Sequence, residues 1–113
     1  PREVMPVKIT SDMIYGYTDG IILRILADGD SYGYDLNAAV LEKSGMQYEF
    51  KEATLYTAVR RLEKQGDVTS YWGEQSAGAR RRYYSITEQG REHLRRIISE
   101  WKTMKGLLDR LFD

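Results

Sequence analysis

The sequence predicts an α+β fold that is mostly helical, with a short hairpin placed ahead of one long final helix. Three observations carry this expectation. Apolar residues recur at three- and four-residue spacing over three segments that end at Gly66. The stretch from Val68 to Ile86 is instead rich in β-branched and aromatic residues and is interrupted by a polar turn. From Thr87 the helical spacing returns and runs nearly to the last residue.

The elements follow in order. Pro1 to Thr10 shows no periodicity and reads as a flexible arm. A first helix is expected from Ser11 to Ala27, with Ser11 as its N-cap. Gly16 and Gly20 weaken it, by about 1 kcal/mol each against alanine, and their presence suggests a tightly packed neighbour. Asp28-Gly29-Asp30 is a turn, and Ser31 is positioned to cap a second helix from Tyr32 to Lys43. Ser44-Gly45 ends it, and Met46 to Phe50 reads as a short extended link. A third helix spans Lys51 to Gln65, with Gly66 at the position that favours left-handed geometry. Two strands follow, Val68 to Gly73 and Arg80 to Ile86, joined by Glu74 to Ala79, a connection longer than a two-residue primed turn. Thr87 then caps a helix running to about Phe112, with Glu88 and Glu92 near the positive end of its dipole.

A helix that leads into a basic hairpin is the winged helix-turn-helix arrangement. Three parts are therefore expected: the arm over residues 1–10, a winged-helix DNA-binding domain over 11–86, and a C-terminal dimerisation helix over 87–113.

Composition narrows the function classes. With 113 residues and 42% hydrophobic content, the chain reads as a single globular domain with a modest core, of the kind a partner subunit often completes. There is no cysteine, so disulfides and thiolate metal sites are excluded. No apolar run is long enough to span a bilayer and no leader pattern opens the chain, so a cytoplasmic location with no membrane partner is expected. The one histidine, His93, is placed on the polar side of the final helix, with no nucleophile, base and orienter assembled around it. No glycine-rich phosphate loop stands between a strand and a helix. No catalytic residue, metal site or cofactor is expected.

Net charge is zero, but its distribution is uneven. From Lys51 to Arg82 the chain carries seven bases against four acids, a local +3 on a remainder of −3. Advancing about 100° per residue along the third helix gathers Leu55, Ala58, Val59 and Leu62 on one side as a packing stripe. Ala53, Thr57, Arg60 and Lys64 lie opposite, with Thr54, Tyr56 and Arg61 on the flanks. Small residues at 53, 54 and 57 permit close approach to base edges, and Arg60, Arg61 and Lys64 reach phosphates or guanine acceptors. Arg80 and Arg81 sit at the hairpin's mouth, suited to phosphates or the minor groove. Two readings of this face stand: a reader of duplex DNA, and a winged module that binds protein without reading DNA, since fold alone does not fix function. The adjoining basic hairpin favours DNA. The strand aromatics Tyr71, Trp72, Tyr83 and Tyr84 are expected to pack the hairpin rather than stack on bases.

The final helix presents Leu94, Ile97, Ile98, Trp101, Met104, Leu108 and Leu111 as one apolar stripe over five turns. So small a domain offers too little core to cover it, so a homodimer through this helix is expected, with two reading helices about 34 Å apart. Trp101 is on this account a dimer-core aromatic.

Three motifs, Gly29-Asp30-Ser31-Tyr32-Gly33-Tyr34-Asp35-Leu36, Thr54-Leu55-Tyr56 with Arg61-Leu62-Glu63, and Gly78-Ala79-Arg80-Arg81-Arg82-Tyr83-Tyr84-Ser85-Ile86-Thr87, occur in this order and spacing. Together they resemble the PadR family of bacterial transcription regulators over nearly the whole chain. The single long C-terminal helix is similar to its short subfamily, whose members include multidrug-binding repressors. The resemblance implies a homodimeric repressor on a pseudo-palindromic operator, with Tyr56 and Arg61 in DNA contact, while Tyr32 and Tyr34 are assigned to packing of the second helix. It also implies a planar aromatic effector stacked on Trp101 in a pore at the dimer centre, with Gly20 and Ile98 facing the same cavity. Lys105 borders that expected site and departs from the pattern, because those relatives carry a carboxylate there.

Overall fold

Four of the helices each bury an apolar face, and these faces meet in a single core. The computed structural model describes residues 7–73 and 80–113. The elements in chain order are α1 (Ser11–Ile14), a 3₁₀ turn (Tyr15–Tyr17), α2 (Thr18–Ala27), β1 (Ser31–Tyr32), α3 (Gly33–Lys43), α4 (Glu52–Gln65), β2 (Val68–Trp72), β3 (Arg82–Ile86) and α5 (Glu88–Leu111). Ile22, Leu23 and Leu26 of α2 lie at the centre of the core. Leu36 and Val40 of α3, Leu55, Val59 and Leu62 of α4, Val68 of β2 and Leu94 of α5 close around them. The mostly helical α+β class and the long C-terminal helix are as expected. The proposed arm falls partly, and the hairpin turn wholly, on residues 1–6 and 74–79, which lie outside the described residues.

Two expectations for the first half of the chain are overturned. The helix from Ser11 to Ala27 is broken into α1, the 3₁₀ turn and α2. Ser11 is not its cap; Thr10 holds that position, with no side-chain hydrogen bond. The break falls around Gly16, where glycine disfavours the helix and no packing site exists to offset that: a Cβ there would meet nothing within 4 Å. The tight neighbour exists only at Gly20, where a Cβ would come 2.7 Å from Ile97 Cγ2, so α2 lies close against α5.

Ser31 does not cap α3. It belongs to β1, a strand that no local pattern announces. The sheet order is β1-β3-β2 and all pairings are antiparallel. Ser31 faces Tyr84 and Tyr32 faces Tyr83 in register, so the pairing that creates β1 joins residues far apart in sequence. The β2–β3 hairpin runs from Val68 opposite Ile86 to Trp72 opposite Arg82.

The link between α3 and α4 is held by two side chains: the Ser44 hydroxyl donates to the Tyr48 carbonyl at 3.1 Å and accepts from its N–H at 3.0 Å, and Asn37 holds the next turn. Asn37 Nδ2 donates to the Phe50 carbonyl at 2.7 Å, and its Oδ1 accepts from the Phe50 N–H at 2.8 Å. This amide does the work of a strand partner for an extended segment that has none, and it sets the turn between the two helices.

A second junction joins α4, β2 and α5. Gly66 takes a left-handed φ of 91° and ends α4. Asp67 follows at 3% exposure, and its carboxylate accepts from Gln89 Nε2 at 2.8 Å and meets His93 Nδ1 at 2.8 Å. Its carbonyl accepts from the Thr87 N–H at 3.0 Å. Thr87 caps α5 as expected, its Oγ1 accepting from Gly90 N at 3.0 Å. His93 is therefore not on the polar side of α5; it turns inward, half-buried, because a buried carboxylate requires a partner.

The packing at this junction makes a paired prediction. A Cβ at Gly90 would come 2.1 Å from the Asp67 carbonyl oxygen, whereas a Cβ at Gly106, on the same helix and away from its apolar stripe, would meet nothing within 4 Å. Gly90→Ala is expected to destabilise the protein by at least about 2 kcal/mol because backbone must move. Gly106→Ala is expected to stabilise it by up to about 1 kcal/mol. Urea unfolding of both variants checks the pair, and equal effects would contradict the packing described.

Candidate nucleic-acid interface

Helix α4 separates into the two faces that its periodicity predicts. Leu55, Ala58, Val59 and Leu62 are buried. Ala53, Thr54, Thr57, Arg60, Arg61 and Lys64 are exposed, and Tyr56 is half-buried. The Tyr56 ring lies against α3, where a Cβ on Gly33 would come 2.3 Å from its hydroxyl oxygen. The glycine thus makes room for the tyrosine, and Tyr56 presents only part of itself to a partner.

The expected cations are in different electrostatic states. Arg61 forms an ion pair with Asp19 at the start of α2. Arg60, Lys64, Arg80 and Arg81 form no ion pair among the described residues. A surface ion pair is weak and opens at little cost, so Arg61 remains available to a phosphate.

The wing adjoins this helix through Glu63. Its carboxylate accepts from the Ser70 hydroxyl of β2 and lies 3.6 Å from the Arg82 guanidinium of β3. The strand expected from Arg80 begins only at Arg82, and the three arginines divide between two rings. Arg81 lies over the Tyr32 ring at 4.6 Å, whereas Arg80 and Arg82 lie over Trp72 at 5.7 and 5.4 Å.

Tyr71 stacks on Tyr83 with ring centroids 5.7 Å apart, and Tyr32 meets Tyr83 edge-on at 5.5 Å. These tyrosines and the buried Tyr84 pack the sheet, as expected for strand aromatics. Trp72 departs from that expectation, being 53% exposed. Tyr34, assigned to packing of α3, is 77% exposed, because its position on that helix points away from the core stripe of Leu36 and Val40. The hydrogen bond from the Tyr71 hydroxyl to Asp30 Oδ2, 2.6 Å, pushes that phenol up from its ordinary value. Hydrogen bonding to Asp35, and then burial, does the same for Tyr32. Both phenols stay protonated well above neutral pH, so tyrosinate does not offset the wing's positive charge.

A cleft of about 390 Å³ opens away from the residues of the wing. It lies between the first helical segments, the end of α3 and α5, and Gly20, Ile98 and Trp101 all line it. Lys105 does not; it stands one turn beyond Trp101 and pairs with Asp109 at 3.7 Å. Among the described residues no helix is long and apolar enough to cross a membrane.

Asp19 and Trp72 contact the expected residues Arg61 and Arg80, and Glu63 and Arg82 join the same surface through Ser70 and Trp72; none of the four belongs to the sequence-based site. For Arg82 the alternation of the expected strand is a usable signal, since it places residues 80 and 82 on one face. Asp19 and Glu63 meet their partners only through tertiary packing.

The family model described as the transcriptional regulator PadR-like family matches residues 22–96. A transcriptional regulator from Clostridium thermocellum is 43% identical, with a TM-score of 0.83 over 90% of this chain and 96% of that one. A PadR family transcription regulator from Clostridium difficile is 33% identical, with a TM-score of 0.74 over 87% of this chain and all of that one. The negative transcriptional regulator PadR of Bacillus subtilis is 26% identical over 73 residues, which are 65% of this chain and 40% of that one. The chain belongs to the PadR-like family of transcriptional regulators and is a DNA-binding regulator, not an enzyme, built on a winged helix-turn-helix.

Proposed function

We propose that the chain represses transcription as a homodimer on a pseudo-palindromic operator, and that a planar aromatic molecule releases it. Residues 11–86 form the DNA-reading part and residues 87–113 the dimerisation helix, acting in the bacterial cytoplasm at the nucleoid. Thr54, Thr57 and Arg60 approach base edges, while Arg61, Lys64, Arg80 and Arg81 contact phosphates, with Tyr56 at the edge of the contact. The observation that carries the reading is the exposed face of α4, whose Arg60 and Lys64 form no ion pair among the described residues, beside an arginine-rich wing. The name of the Bacillus subtilis relative, a negative regulator, supports repression.

Dimerisation is supported by α5. Its first half packs into the core through Leu94, but Trp101, Met104, Leu107, Leu108 and Leu111 are all exposed on the protomer. So extended an apolar face on a 24-residue helix calls for a second copy. The effector is supported by the cleft beside Trp101, whose volume suits a small aromatic ligand.

Three outcomes are expected. Binding to the chain's own upstream DNA falls steeply with salt, and Arg60→Ala and Lys64→Ala each weaken it and lower the salt slope by about one. Unchanged slopes in both variants would place the DNA on another face. Met104→Glu combined with Leu108→Glu gives a helical monomer by sedimentation and circular dichroism, with DNA affinity reduced roughly a hundredfold through lost bivalency. A stable dimer in that variant would remove α5 as the interface. Planar aromatic dyes quench Trp101 emission and lower DNA affinity; a Trp101→Ala protein that binds the dyes equally well would exclude the cleft.

A further inference from the structure

Two of the three wing arginines converge on one indole. The Arg80 and Arg82 guanidinium carbons lie 5.7 and 5.4 Å from the Trp72 ring centroid, and Trp72 faces Arg82 in the strand register. Two like charges over one ring repel each other. Arg82 has a carboxylate nearby in Glu63, at 3.6 Å, whereas Arg80 has none among the described residues. The ring is half exposed and contributes nothing to the core cluster. Among the described residues the arrangement is therefore short of one negative charge, which an external anion would supply.

We propose that Trp72 is a positioning residue that holds Arg80 and Arg82 as a two-guanidinium clamp for a single backbone phosphate of duplex DNA. This rests on the DNA-binding reading above and assigns the wing's part in it. An arginine side chain free in solvent must lose rotamer freedom before it can grip a phosphate, and a ring that already holds the guanidinium reduces that loss. With two guanidiniums over it, the indole has little open face left for a base, so a phosphate rather than a stacked nucleobase is the occupant. Arg81 points to the other side, over Tyr32, and takes no part in this clamp.

The experiment titrates wild type, Trp72→Ala and Trp72→Phe with a mixed-sequence duplex at several salt concentrations. Trp72→Ala is expected to lose about threefold to tenfold in affinity at low salt and to lower the salt slope by about one. Trp72→Phe, which keeps an aromatic face, is expected to recover most of both, and thermal melting should be unchanged in either variant. A structural role alone would move the melting temperature and leave the slope intact. The chain has two tryptophans, so the Trp72 emission is taken as the difference between wild type and Trp72→Phe, and it should change on saturation with DNA. Wild-type binding with an unaltered Trp72→Ala slope, or a Trp72 emission indifferent to DNA, overturns the clamp alone. An absence of salt-dependent binding by the wild type overturns the DNA reading and the clamp with it.

Discussion

The buried carboxylate of Asp67 is the constraint on which the rest of the architecture depends. A charge taken out of water must be paired or hydrogen-bonded. Here the partners, Gln89 and His93, come from α5, while the residue itself ends the turn after α4 and begins the path into β2. The backbone reinforces this, because the Asp67 N–H donates to the Leu62 carbonyl at 2.9 Å and its own carbonyl accepts from Thr87. Helix α4, the wing and α5 thus leave one point at fixed angles. Gly90 is part of the same constraint, since any side chain there would push α5 off the Asp67 carbonyl.

With those angles fixed, the surface chemistry follows from modest means. The whole chain is neutral, yet the stretch from α4 through the wing carries a surplus of three positive charges. Glu63 uses one of the few acids in that stretch to tie α4 to both strands, through Ser70 and Arg82. Asp19, from outside it, reaches Arg61. Among the described residues the remaining cations of this face stand without carboxylate partners, which suits them to a polyanion.

Helix α5 joins two environments. Its first turns complete the core through Leu94 and approach α2 so closely that only glycine fits at position 20. Its later turns carry large apolar side chains that stand exposed among the described residues. Trp101 lies where the two regimes meet, 45% exposed and lining the cleft. Any molecule or second subunit that fills the cleft touches α2 and α5 together. Asp19, next to Gly20 on α2, pairs with Arg61 of the reading helix, so the cleft and the DNA face share one element.

Local pattern was sufficient wherever a single helix or hairpin decides its own geometry. The packing and exposed faces of α4, the Gly66 stop, the Thr87 cap and the stripe of α5 were all legible, because helical periodicity and capping act over a few residues. The positions of Thr54, Thr57, Arg60 and Lys64 on the exposed face followed from the same spacing. What only the tertiary structure decided involves partners distant in sequence. Strand β1 exists because β3 offers it an edge, so Ser31 is a strand residue and not a cap. The first helix breaks at Gly16, where nothing packs to offset the glycine, while Gly20 four residues on is forced against Ile97. His93 turns inward because a carboxylate 26 residues earlier is buried beside it. Trp72 stands clear of the hairpin's packed tyrosines and collects two arginines, which alternation alone does not reveal. Sequence spacing sets which residues share a face; burial and long-range pairing set what that face meets.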